Sequence, residues 1–109
     1  MMNPKAFAFA FALMAATTPA HAEGAEETCT NFGVLAQNLM IARQQGVSMS
    51  VVMSKVKTGI PEADEVIRLL IIGAYNAPRL YSPKYANKMV EDYRNQAELE
   101  CFTVFGGKV

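Results

Sequence analysis

The chain reads as an all-α protein, a small bundle of about four short helices closed by one disulfide. Three observations carry that reading. Apolar residues recur at intervals of three and four in four separate stretches. Prolines, glycines and serines stand between those stretches, where helices start and stop. Two cysteines, Cys29 and Cys101, bracket nearly all of this pattern.

The first residues have the form of a secretory signal. Lys5 precedes an apolar run from Ala6 to Ala16, and Pro19 leads into Ala20-His21-Ala22, with small residues where a signal peptidase reads. The apolar run is well short of the roughly 20 residues a permanent bilayer span needs. Cleavage is expected after Ala22, so residues 1–22 are a signal peptide. Residues 23–109 then form a single helical domain with a short apolar C-terminal tail. The residues before Cys29 are polar, which argues against a lipid-modified cysteine.

Removal of Lys5 leaves 9 Lys and Arg against 10 Asp and Glu. Such a balance offers nucleic acid or an anionic membrane nothing to hold. No second long apolar run follows, so no stable membrane insertion is expected after cleavage. The one histidine, His21, leaves with the signal. That excludes a Ser–His–Asp triad, a Cys–His pair and His-ligated zinc. An even cysteine count in an exported chain implies a Cys29–Cys101 disulfide. It would close a loop of roughly 70 residues, worth about 4 kcal/mol on the chain-entropy account. A redox-active or intermolecular pair is the alternative, although the wide spacing lacks Cys-x-x-Cys geometry.

The helices follow in order. After an acidic leader, Glu23 to Thr28, the residues Phe32, Leu35, Ala36, Leu39 and Met40 form one apolar face. Thr30 or Asn31 suits the start of this helix, and Gly46 suits its end. Ser48 caps a second helix with the stripe Met49, Val52, Met53 and Val56, stopped by Gly59. Pro61 opens the third helix, with Glu62, Asp64 and Glu65 favouring the positive end of its dipole. Ile60 could staple back toward Val66. The body of this helix is apolar on nearly every side except Arg68, as expected at the centre of a bundle or at an interface. Gly73 would admit a close neighbour, and Asn76 and Pro78 end the run. Ser82 and Pro83 start the fourth helix, whose stripe is Ala86, Met89, Val90, Tyr93, Ala97 and Cys101. The tail, Phe102 to Val109, is apolar enough that part of it should dock.

Four constellations could carry chemistry. Met49 and Met53, one helical turn apart, could meet copper(I) through two thioethers, could form an adaptable protein-binding patch, or could be core filler. Glu62, Asp64 and Glu65 resemble a carboxylate cluster, but helix-start electrostatics accounts for all three. Ser48, Ser50 and Ser54 near Lys55 and Lys57 lack the supporting motif of a Ser–Lys nucleophile. The stretch Ala74 to Tyr85 offers Tyr75, Arg79, Leu80 and Tyr81 between prolines, residue types enriched at interfaces. Its structural alternative is a helix–helix connection with half-buried tyrosines.

The pattern "C…LA…IARQQGVSMSVVM…IIGAYNAPRLYSP" resembles a group of short exported two-cysteine helical proteins of Proteobacteria and their prophages. Cys29, Ile41-Ala42-Arg43, Gly46, Ser48, Tyr75, Pro78 and Cys101 carry the likeness, which covers most of the mature chain. The resemblance implies a fold, since the function of that group is unassigned. A weaker likeness is to the periplasmic acid-stress chaperones, through "TCTNF" at the start of the first helix. This chain departs from them in placing its second cysteine near the C-terminus and in lacking their Lys- and Asp-rich character.

The expectation is a small exported non-catalytic protein, without a cofactor, that acts by protein–protein binding in the periplasm. Its partner would be a periplasmic or envelope protein, and a homodimer is a further option. The alternatives are an acid-stress chaperone and a copper protein using Met49 and Met53. Periplasm or secretion is the expected location.

Overall fold

The structure, a computed structural model, describes the backbone of residues 4–105 and the side chains of residues 24–105. Four helices make up the described chain, with no strand among the described residues: α1 (Pro4–Gln44), α2 (Met49–Lys55), α3 (Pro61–Asn76) and α4 (Pro83–Phe105). Cys29 and Cys101 form the disulfide, with Cα atoms 5.4 Å apart.

α1 does not begin at Thr30 or Asn31. It runs unbroken from Pro4 through the acidic leader. Ala and Glu dominate residues 20–27, and both favour helix, so the leader continues the turn instead of capping it. The C-terminal end of α1 is a Schellman motif. Val47 N–H donates to the Ala42 carbonyl and Gly46 N–H to the Arg43 carbonyl. Gly46 takes φ +83°, the left-handed conformation this closure needs.

Ser48 Oγ accepts from Val51 N–H, capping α2 as expected. α2 stops at Lys55, four residues before Gly59, so the glycine does not end it. The chain instead turns at Gly59 (φ +84°), where Asp64 Oδ1 accepts from both the N–H and the hydroxyl of Thr58. These bonds recruit residues 57–59 to the approach of α3.

α3 starts at Pro61 with Glu62 and Asp64 in its first turn, as the sequence predicts. Ile60 and Val66 both stay exposed, so no buried staple forms. Nor is α3 central: only Ile71 and Ala74 are buried. α4 begins at Pro83, with the Ser82 carbonyl accepting from Ala86 N–H. The expected docking tail is helix as far as Phe105, and its apolar side chains stay exposed. Residues 106–109 lie outside the described part.

α1 and α4 form the antiparallel spine. Cys29 meets Cys101 at one end of the pairing, and Gln37 Oε1 accepts from Arg94 Nη1 at 2.7 Å further along. Gly33 is buried between them, with the Glu98 side chain filling the space a Cβ would take. The core gathers toward the other end of α1, where Leu39, Met40, Val52, Ile71 and Ala74 interlock. Each large side chain buried there is worth about 1.5–3 kcal/mol. α3 packs on α1 and α2 but scarcely touches α4. A direct hydrogen bond between them runs from Tyr93 Oη to the Leu70 carbonyl. It crosses over Gly73, whose missing side chain leaves room for the phenol.

Candidate interaction surfaces

The connection between α3 and α4 is largely occupied with holding α1. Gln44 uses its side-chain amide as a strand uses its backbone: Nε2 donates to the Pro78 carbonyl at 2.9 Å and Oε1 accepts from Leu80 N–H at 2.8 Å. Arg79 Nε donates to the Gln44 carbonyl and Arg43 Nε to the Ala77 carbonyl, both at 3.0 Å. Tyr75 Oη donates to the Val47 carbonyl at 2.6 Å, and the Arg43 guanidinium lies 5.5 Å from the Tyr75 ring centre. Partial burial pushes the Tyr75 phenol pKa up, with the Arg43 charge pulling the other way. Of the four residues singled out here, Tyr75 and Arg79 thus spend their polar groups on α1 and on Val47. Leu80 is half-buried. Tyr81 is 88% exposed, with the Arg79 guanidinium 5.7 Å from its ring centre.

Met49 and Met53 line a cleft of about 850 Å³ between α2 and α3, together with Ser50, Ser54, Asp64 and Arg68. The stripe they belong to is therefore not fully covered by α3: Val52 is buried, while Met49 is 36% exposed. The other polar groups in the lining are hydroxyls, a carboxylate and cations, with no third sulfur. Ser54 Oγ donates to the Val51 carbonyl, and Ser50 Oγ shares a hydrogen bond with Ser48 Oγ. Arg68 pairs with Glu65 at 2.7 Å, which raises the guanidinium pKa and lowers that of the carboxyl. Two of the three carboxylates at the start of α3 are thus separately engaged, Asp64 with Thr58 and Glu65 with Arg68. The Thr58 hydrogen bonds hold the Asp64 pKa below its ordinary value.

The third surface lies where α3 and α4 part. α1 supplies the floor through Phe32 and Leu35. Ala63, Val66 and Ile67 of α3 form one wall, and Cys101, Val104 and Phe105 of α4 the other. This lobe has a volume of about 610 Å³. A second lobe, about 350 Å³, extends toward Leu70, Gly73 and Tyr93. Phe32, Val66 and Glu100 line both lobes, so the two make one cleft with a waist. The Tyr93–Leu70 hydrogen bond lies at its inner end. Along its rim Val66 is 49% exposed, Leu69 55%, Val104 56% and Phe105 52%.

The apolar cleft was only half legible beforehand. The all-round apolarity of α3 marked it as having more greasy surface than one neighbour could cover. That the tail would form the opposite wall had no signal in the spacing. The roles of Arg43 and Gln44 were likewise silent, since each bonds to residues more than thirty positions away. Comparisons of this chain with family models, with curated proteins and with solved structures find no match.

Proposed function

We propose that this is a small exported, non-catalytic protein that works in the periplasm by binding another protein. The observation that carries the reading is the open α3–α4 cleft, an apolar surface built from three helices and left uncovered by the described residues. Contiguous exposed apolar surface of this kind marks interaction sites in soluble proteins. Export is supported by the signal-like N-terminus and by the buried disulfide, which belongs to an oxidising compartment. Cleavage after Ala22 would also leave Glu23, Glu26 and Glu27 in the first turns of the shortened α1, where negative charge stabilises a helix.

Site-specific photocrosslinking in cells tests the reading. A photoreactive residue at Leu69 or Val104 should yield a discrete protein adduct, and one at the exposed Asn95 should not. No adduct from either cleft position, with the protein folded and exported, would remove the reading. An adduct confined to Tyr81 would move the binding surface to the α3–α4 connection.

A further inference from the structure

We propose that the α3–α4 cleft takes a basic amphipathic helix of about three turns, its apolar face filling both lobes and a lysine or arginine reaching Glu100. The proposal rests on the protein-binding reading above and names the chemistry of the partner. Shape comes first. Three helices already surround the cleft, and α3 and α4 splay apart over α1, so a further helix completes the packing that these two do not make with each other. From Tyr93 to Phe105 the α4 wall covers 13 residues, about 18 Å at the helical rise, which is just over three turns. Two lobes on either side of a waist suit apolar anchors one or two turns apart, the spacing of helix-in-groove recognition.

Charge then selects the partner. Among the described residues Glu100 is the charged residue lining both lobes, and no lysine or arginine lines either. Among the described residues Glu100 has no ion pair; its hydrogen bond comes from Gln96 Nε2 at 3.5 Å. A cation brought there meets a carboxylate that no other charge among the described residues pairs with, beside apolar surface that keeps water away once covered. A second copy of this chain fits less well. Pairing two such clefts about a two-fold axis brings another Glu100, not a cation, toward the waist. This chain's short helix α2, with Lys55 beside an apolar stripe, has Val52 committed to the core.

The test uses the oxidised protein and two synthetic helical peptides of equal length, one of Leu and Lys and one of Leu and Glu. Binding is followed by fluorescence anisotropy, and the site is located by amide chemical shifts. The Leu/Lys peptide should bind about tenfold or more tighter than the Leu/Glu peptide, as one charge-assisted contact allows. Its shift changes should centre on Phe32, Val66, Leu69 and Val104. Glu100→Lys should remove that preference and Glu100→Gln should weaken it; the position is exposed, so helicity by circular dichroism should stay intact. Equal affinity for the two peptides overturns the basic partner while leaving protein binding in the cleft standing. Shift changes that map elsewhere overturn the site. A concentration-dependent dimer that Val66→Asp dissociates makes a second copy the occupant and overturns the proposal. Absence of binding by both peptides, together with absence of crosslinks from Leu69 and Val104, overturns this proposal and the broader reading together.

Discussion

Replacing both cysteines, Cys29→Ala with Cys101→Ala, should remove a large part of this protein's stability. The disulfide joins residues 72 apart. Cross-linking over that distance removes about 4 kcal/mol of conformational freedom from the unfolded chain. A domain of this size has a net stability of about 5–10 kcal/mol. Packing offers little substitute. The interlocked core lies around Met40 and Ile71, toward the opposite end of the α1–α4 pairing, and α3 stands away from α4 near the cysteines. Alanine keeps Cβ at both buried positions, so the cavity contribution stays small. Urea unfolding followed by circular dichroism should show a loss of about 3–4 kcal/mol. The melting temperature should fall by more than about 12 °C, at 4 °C or more per kcal/mol. Hydrogen exchange in the folded variant should quicken first at residues 25–33 and 97–105. A loss below about 1 kcal/mol, with an unchanged denaturant slope, would show that packing alone fixes the α1–α4 register and would refute the argument.

Three further outcomes follow from local geometry. Gly46→Ala should cost about 1–2 kcal/mol in urea unfolding, because a Cβ at φ +83° is strained and would also lie 2.9 Å from the Arg79 guanidinium carbon. Gln44→Ala should cost about 1–3 kcal/mol, since it removes a donor and an acceptor that nothing else supplies to Pro78 and Leu80. The Asp64 carboxyl should titrate below 3.8 when followed by carbon NMR, and Thr58→Val should move it upward by removing one of its two donors. The sign is that of a carboxyl whose pKa is lower in the folded state than in the unfolded state. Its support for the Thr58–Asp64 turn is present above the unfolded pKa and fades as pH falls through the folded one.

Helix count and helix type were legible because each rests on local chemistry, and the disulfide pairing because the chain has two cysteines. Pro61 and Pro83 open helices because their fixed φ suits the first turn. Gly46 closes α1 because it alone tolerates the left-handed bend. Gly59 shows the limit of such reasoning. It takes the same conformation as Gly46, yet α2 ends four residues earlier, because Asp64 draws Thr58 into a turn. The start of α1 was misplaced for a related reason. Thr30 and Asn31 can cap a helix only where the preceding chain leaves it, and an Ala- and Glu-rich leader does not leave. The tyrosine–arginine connection reads in sequence either as a binding surface or as a helix–helix connection, since the same residue types serve interfaces and internal clamps. What separates the two uses is whether a carbonyl such as Val47 or Gln44 waits within reach, and spacing along the chain carries no trace of that.

The two ends of the bundle divide the work between holding and exposing. At one end Arg43, Gln44, Tyr75 and Arg79 tie the close of α1, the turn after it and the α3–α4 connection together through side chains that reach backbone groups. The largest buried side chains of the core lie beside them. At the other end the disulfide and the Arg94–Gln37 hydrogen bond hold α1 to α4 over small buried residues, Gly33 and Ala97, and α3 scarcely touches α4. A disulfide constrains where two chains go without filling the space beside them. It can keep the α4 wall in register while the apolar surface between α3 and α4 stays open, which a packed core could not do, because packing would consume the surface itself. The same arrangement concentrates weak points. The first half of α3 is held mainly by Asp64 at its start and by Ile67 and Ile71 along its length, so local opening is least opposed there. A cleft with one fixed wall and one yielding wall can adjust its width to a helix of varied side chains. That accounts for how so small a protein can devote Val66, Leu69, Val104 and Phe105 to exposed surface and still fold.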